Sequence, residues 1–334
     1  MGCIRQRFLS ISVFTKEVLL MARDDMKGTD DQVIVPLTAQ ALGGLEDKLV
    51  YEYDCSGKAG RYQMYSVTDH VLKGTSVYQL VVARHPAGRL GLAMIATQKP
   101  QNARVYKQAR ILQTLESVAT DVDQQLKFSR VRTADYASFF PSVLETLVAE
   151  DGRMGVFFGY HPSISSYGQL TPLTIATKDV RVDLRTGAWV LGKTMKLLQF
   201  IHNCGFTVGL MGGSNILIET ALHGVFVLDF TTAEEQPSSR DQRDEVAEAA
   251  RAVWVACGGS STTLPPYDAN IMRYQDHQKF LELLVRIMLG QLNANQVYEA
   301  AYGLFKNIWP LKKKPDAYAA VTGHNWHEYV TYPR

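Results

Sequence analysis

The hydrophobic pattern of this chain changes period once, and that change limits the fold more than any other feature. Between about Gly60 and Tyr160, apolar residues alternate in short runs broken by turn residues, the period of half-buried strands. Met64–Leu72, Ser76–Arg84 and Leu90–Thr97 make one such series, with Lys73-Gly74-Thr75 and His85-Pro86-Ala87-Gly88-Arg89 as turns. The spacing predicts a three-stranded antiparallel meander. Ala103–Val118 then places Val105, Ala109, Leu112 and Leu115 at helical spacing, with Asn102 available as a cap. Ser142–Val148 and Met154–Tyr160 return to the strand period on either side of an Asp151-Gly152 turn. Five antiparallel strands and one helix are therefore expected in a first lobe.

Ser163–Leu173 is rich in Ser, Gly, Pro and Tyr, the composition of a linker between lobes. Beyond it helices dominate. Leu184–Asn203 carries Trp189, Leu191, Met195, Leu198 and Ile201 on one broad face and stops at Cys204-Gly205, where glycine suits a helix C-terminus. Two short strands, Asn215–Glu219 and Val225–Asp229, precede helices at about Asp244–Cys257, Asp276–Leu289 and Asn295–Asn307. The expected organisation is an α+β chain: a partly disordered extension over 1–59, a strand-rich lobe over 60–160, a mainly helical lobe over 161–310 and a tail over 311–334.

Charge and cysteine usage exclude several function classes. A net charge of +2, with Lys312-Lys313-Lys314 as the only basic run, lacks the footprint of a nucleic-acid binder. Cys3, Cys55, Cys204 and Cys257 lie far apart with no C-x-x-C, which argues against a zinc knuckle or a disulfide framework and suits a reducing, cytoplasmic setting. No apolar run approaches the ~20 residues of a membrane helix. Met1-Gly2-Cys3 is a weak acylation signal, because Gln6 stands where Ser or Thr is preferred, and translation from Met1 or from Met21 is left open. The expected partner is another protein. Ile308-Trp309-Pro310-Leu311 and the aromatic tail through Trp326, Tyr329, Tyr332 and Pro333 either dock such a partner or pack back on their own domain.

The order of elements, together with three motifs, resembles the protein-kinase superfamily. Phe200-Ile201-His202-Asn203-Cys204-Gly205 followed by Phe206-Thr207-Val208-Gly209-Leu210-Met211-Gly212-Gly213-Ser214-Asn215 aligns without gaps to a helix end and an H-R-D-x-K-x-x-N catalytic loop. Val227-Leu228-Asp229-Phe230-Thr231 looks like D-F-G, and Asp244–Gly259 resembles the helix that begins with Asp and ends in Gly-Gly. The likeness spans roughly Gly60 to Asn307 and looks closest to divergent bacterial kinase-like domains, of the kind that accompany J-domain chaperone proteins. It implies a bilobal kinase-like fold with a five-stranded N-lobe.

Phosphoryl transfer needs a glycine-rich loop, a strand lysine held by a helix glutamate, a catalytic aspartate and two metal ligands. On the alignment the loop falls on Leu72–Tyr78 and keeps only Gly74; the lysine of V-A-I-K falls on Ile95, its glutamate on Gln108, the catalytic aspartate on Leu210 and the loop lysine on Gly212. Losing both members of the ion pair is coherent, since a buried carboxylate without its lysine is costly. Each missing electrostatic group is worth about 2.7–4 kcal/mol of barrier, and such groups act together. Asn215 and Asp229, the metal-holding positions, are kept.

The resemblance thus implies no catalytic residue, and either a residual site for ATP and magnesium built from Lys73, Gly74, Asn215 and Asp229 or no cofactor at all. Lys99 is a second candidate for a relocated cation. His202 is read as a structural residue, and Asp244 as the acceptor that braces the catalytic-loop backbone. Only Thr232–Arg243 separate the D-F-G-like segment from the next helix, too short for a full activation segment. The expected function is a pseudokinase acting as a regulatory or protein-interaction module; an unconventional kinase or nucleotidyl transferase on the same fold is the alternative.

Overall fold

The computed structural model describes residues 48–67, 74–128, 136–159, 170–178, 180–219, 224–269, 272–308 and 330–333. Gly2, Cys3, Lys73, most of the linker and the lysine run lie outside the described residues.

The strand-rich lobe contains β1 (Leu49–Gly57), β2 (Gly60–Val67), β3 (Tyr78–Arg84), β4 (Leu90–Ala96), β5 (Ser142–Ala149) and β6 (Met154–Gly159). The described residues of this lobe form six strands, where five are expected. They close into an antiparallel barrel in the order β1-β2-β3-β4-β6-β5. The added strand, β1, falls within the expected N-terminal extension. It turns into β2 through Lys58-Ala59, with Gly57 opposite Gly60, and pairs with β5 through Cys55 and Ala149. A register shift between Tyr51 and Tyr53 breaks its alternation. Closure removes the exposed edges that β2 and β5 would otherwise present.

Two apolar layers follow from the pleat. Cys55, Tyr62, Met64, Val81, Ala83, Ala93, Ile95, Leu147, Ala149 and Phe157 fill the barrel. Leu92, Met94, Ala96, Val156 and Phe158 face outward and share a core with Val105, Ala109, Leu112 and Leu115 of α1 (Asn102–Phe128). Asn102 does not cap its own helix. Its side chain donates to Gly152 O at 3.0 Å and accepts from Met154 N at 2.8 Å, which pins the helix start to the β5–β6 hairpin.

The helical lobe comprises β7 (Leu170–Pro172), α2 (Leu173–Ala176), β8 (Val180–Val182), α3 (Leu184–Asn203), β9 (Leu217–Glu219), β10 (Gly224–Phe226), α4 (Ser239–Ala256), α5 (Tyr274–Met288) and α6 (Ala294–Ile308). Asp183 caps α3 by accepting Thr186 N–H at 2.7 Å, and α3 then packs between α4 and α6 with Trp189, Leu191, Met195, Leu198 and Ile201 buried. Ser238 and Asp241 form a capping box that starts α4 at Ser239, five residues ahead of the expected Asp244. The C-terminal strand β11 (Val330–Pro333) pairs antiparallel with β8, so this part of the tail returns to its own lobe. No helix among the described residues is long and apolar enough to cross a membrane.

Candidate functional site

The segment that follows α3 is held by one buried acid. Glu245 Oε1 accepts the N–H groups of Val208 (2.6 Å) and Gly209 (2.7 Å), while Oε2 lies 2.6 Å from His202 Nε2. Glu245 is 3% exposed, and this role was expected of Asp244. Asp244 instead points to solvent and faces Arg240 at 3.6 Å. The reason is helical period: Glu245, Ala249 and Val253 share the buried face of α4, and Asp244 begins the neighbouring polar stripe. His202, read as structural from sequence, is the side-chain partner of Glu245. Gly209 has a positive φ of 97°, and a Cβ there would meet the backbone of Thr232 at 2.7 Å, so only glycine serves at this position.

Asn215 and Asp229 are brought together, but each is already occupied by protein groups. Asn215 Nδ2 donates to Leu210 O at 3.0 Å and Asp229 O at 2.8 Å, and its Oδ1 accepts from Leu228 N (3.3 Å) and Asp229 N (2.9 Å). Asp229 Oδ1 accepts both Thr231 N (2.8 Å) and Thr231 Oγ1 (2.7 Å), and Oδ2 accepts the Tyr78 hydroxyl at 3.0 Å. Asp229 is only 8% exposed. Burial and the neighbouring carboxylate push the Tyr78 phenol well above its ordinary range, so it stays a neutral donor to Asp229.

Helix α1 reaches the same segment. Gln108, fully buried, donates to Leu228 O at 3.2 Å and accepts from Phe230 N at 3.1 Å, bracketing Asp229 on both sides. Arg110 pairs with Glu235 just beyond. Phe230 is buried beside Phe140, whose ring lies 5.8 Å from that of Phe200. The strand lobe is therefore tied to the helical lobe by hydrogen bonds, one ion pair and an aromatic row.

The remaining expected positions divide. Ile95 does not face α1: it lies inside the barrel, with its Cδ1 against Gly155, and its neighbour Met94 is the one turned to the outward face shared with the helix. Neither carries charge. Gly74 is pressed against β3, where a Cβ would come within 2.3 Å of Tyr78 O and 2.9 Å of Gln79 Cα. Thr75 N–H bonds back to Tyr78 O at 2.8 Å, so the loop folds onto its own strand. Lys99 lies against Gly152, in the β5–β6 turn. Leu210 projects into solvent, 54% exposed, and Gly212 has open space beside it; both line a groove with Leu173, Ala252 and Val255.

The groups that would hold a magnesium nucleotide are engaged by the protein itself. Three of the carboxylate's roughly four acceptor sites and all four hydrogen-bonding positions of the amide are taken by protein groups, and one of those partners is a phenol that burial keeps protonated. Among the described residues, no group of three or more His, Cys, Asp or Glu could hold a metal ion. Sequence reasoning missed Tyr78, Thr231 and Glu245 as the partners that set this arrangement.

No family model matches the chain, and no curated protein matches it in sequence. Among solved structures it is similar to the BubR1 kinase domain, with 10% identity, 96% of this chain and 97% of that chain covered, and a TM-score of 0.51. It is also similar to a single-substitution variant of the Mycobacterium tuberculosis PknI kinase domain, with 10% identity, coverage of 75% and 96%, and a TM-score of 0.47. The six-stranded barrel, the buried helix α1 tied to the Leu228–Phe230 backbone and the helical lobe built on α3 and α4 thus form an α+β, protein-kinase-like fold.

Proposed function

We propose that this chain is a pseudokinase, a kinase-like domain that works by binding another protein and does not transfer phosphate. The observation that carries the reading is the closed state of Asp229, whose oxygens accept Tyr78 and Thr231 where a magnesium nucleotide would need them free. Leu210 supports it, because an apolar side chain at the aligned aspartate position cannot take a proton from a hydroxyl. Uncharged Met94 and Ile95 support it too, since neither can clamp a phosphate. The polar groups that remain are those the backbone needs: Glu245 holds the loop, Asn215 ties it to the Asp229 segment, and Gln108 fixes α1. Such a domain keeps one rigid shape without performing chemistry, which suits a regulatory or scaffolding role.

The test is turnover. Purified full-length chain, incubated with ATP and either magnesium or manganese, is expected to release no ADP and to label neither itself nor an added protein. Metal-dependent transfer that Asp229→Ala abolishes would overturn the proposal in favour of an unconventional kinase or nucleotidyl transferase.

A further inference from the structure

A separate cluster of charge lies where the short turn Tyr136–Phe139 packs against both α1 and α3. Helical period puts Lys193 and Lys196, three residues apart, on one face of α3. Both are half-buried, in a stretch of helix where Gly192, Thr194, Met195 and Leu197 are buried. Neither lysine forms a hydrogen bond or an ion pair with a described residue.

What surrounds the two amines does not balance them. Lys196 Nζ stands 5.3 Å from the centre of the Tyr136 ring, which itself stacks on Phe200 at 4.7 Å. The ring face attracts a cation without neutralising it. From α1, Asp123, 5% exposed, supplies the carboxylate that acts on Lys196 among the described residues. Two ammonium groups against one carboxylate leave an excess positive charge in a partly dry site, and losing one charge relieves it. Burial, and after it the charge of Lys193, pulls the Lys196 pKa down to about 8, with Asp123 pulling the other way. Burial lowers that of Lys193 as well. At neutral pH Lys196 therefore holds about 300-fold more neutral amine than an ordinary lysine. A lysine short of water and beside a second cation is an activated nucleophile.

We propose that Lys196 is a modification site, acylated by small acyl phosphates, with Lys193 holding the phosphate of the reagent beside it. The neutral amine attacks the acyl carbon. A C–N bond forms, the C–O bond to the phosphoryl group breaks, phosphate leaves with the bonding electrons, and the extra proton on nitrogen passes to solvent. The resulting amide is uncharged, so one ammonium and one carboxylate remain and the excess charge is gone. This goes beyond the reading of the chain as an interaction module and does not depend on it.

The test treats the full chain with a limiting amount of acetyl phosphate and maps the modified lysines by mass spectrometry of its peptides. Lys196 is expected to react about tenfold faster than exposed Lys58 and Lys279, its lower basicity and partial burial taking back the rest of the gain. Its rate is expected to level off above about pH 8, while the rates at Lys58 and Lys279 keep rising. Lys193→Gln is expected to slow Lys196 severalfold with acetyl phosphate and less with a neutral acetyl ester, and Lys193→Arg to keep the original rate. Equal unfolding midpoints confirm that both variants fold, and the pH profile of the unaltered chain stands without them. The proposal is overturned if Lys196 reacts no faster than Lys58 and Lys279, or if its rate keeps rising to about pH 10 as an ordinary lysine's does. It is equally overturned if Lys193→Gln slows both reagents to the same extent or slows neither.

Discussion

The two faces of the Val208–Asn215 loop were treated in opposite ways. Toward the strand lobe, polar groups at Tyr78, Gln108, Asn215 and Asp229 are buried and bonded to one another or to backbone. Toward α2 and α4, the same loop presents Leu210 and Gly212 to an open apolar groove. The difference separates what a kinase-like shape needs from what its chemistry needs. Hydrogen bonds that hold the backbone persist, because a buried polar group without a partner costs about 1–3 kcal/mol. The positions that the alignment assigns to the transferred phosphoryl carry Ile95, Leu210 and Gly212, none of them charged.

That contrast fixes an order of effects. Glu245→Ala is expected to be the most damaging, about 3–5 kcal/mol by chemical denaturation, because it strands His202 and two backbone N–H groups in a buried site. A loss near zero would mean that the loop is held by something other than this acid. Gln108→Leu comes next at about 2 kcal/mol, since Leu228 O and Phe230 N lose their side-chain partner. Tyr78→Phe removes one hydrogen bond and keeps the ring, so about 1 kcal/mol is expected. Leu210→Ser, on the open face, is expected to change stability by less than about 0.5 kcal/mol. A large loss there would make Leu210 a core residue and blur the contrast between the faces.

The smallest effect concerns pH. Burial lowers the His277 pKa below its ordinary value, with the Pro265 carbonyl at 3.4 Å pulling the other way. The folded chain therefore prefers neutral His277 more than the unfolded chain does. Its contribution is full above about pH 6.5 and is lost as pH falls through the folded value. The unfolding midpoint is expected to drop between pH 7.5 and 5.5, and His277→Gln to remove part of that slope.

Much of this was legible in the sequence, and the failures have physical causes. The period change marked where strands give way to helices, and the helix ending at Cys204-Gly205 placed the loop. Strand β1 was missed because a register shift at Tyr51–Tyr53 and buried Asp54 obscure its alternation. The alignment sets the lysine position on Ile95, one residue from helix-facing Met94, because Leu92-Ala93-Met94-Ile95 is apolar on both sides and leaves no pattern to read. Glu245 was readable: four- and eight-residue steps to Ala249 and Val253 mark the buried face, whereas Asp244 steps to Glu248. The Ser238-x-x-Asp241 box likewise marked the true start of α4. Tyr78 could not be found, because its bond to Asp229 spans 151 residues and depends on how the loop folds.

The most direct test is thermal unfolding of the wild-type chain during a titration with ATP and magnesium. A ligand bound only by the folded state adds about 2.7 kcal/mol at one hundred times its Kd and must raise the midpoint. With Asp229 held by Tyr78 and Thr231, the midpoint is expected to stay constant throughout. A concentration-dependent rise that Asp229→Ala removes would contradict the closed cleft.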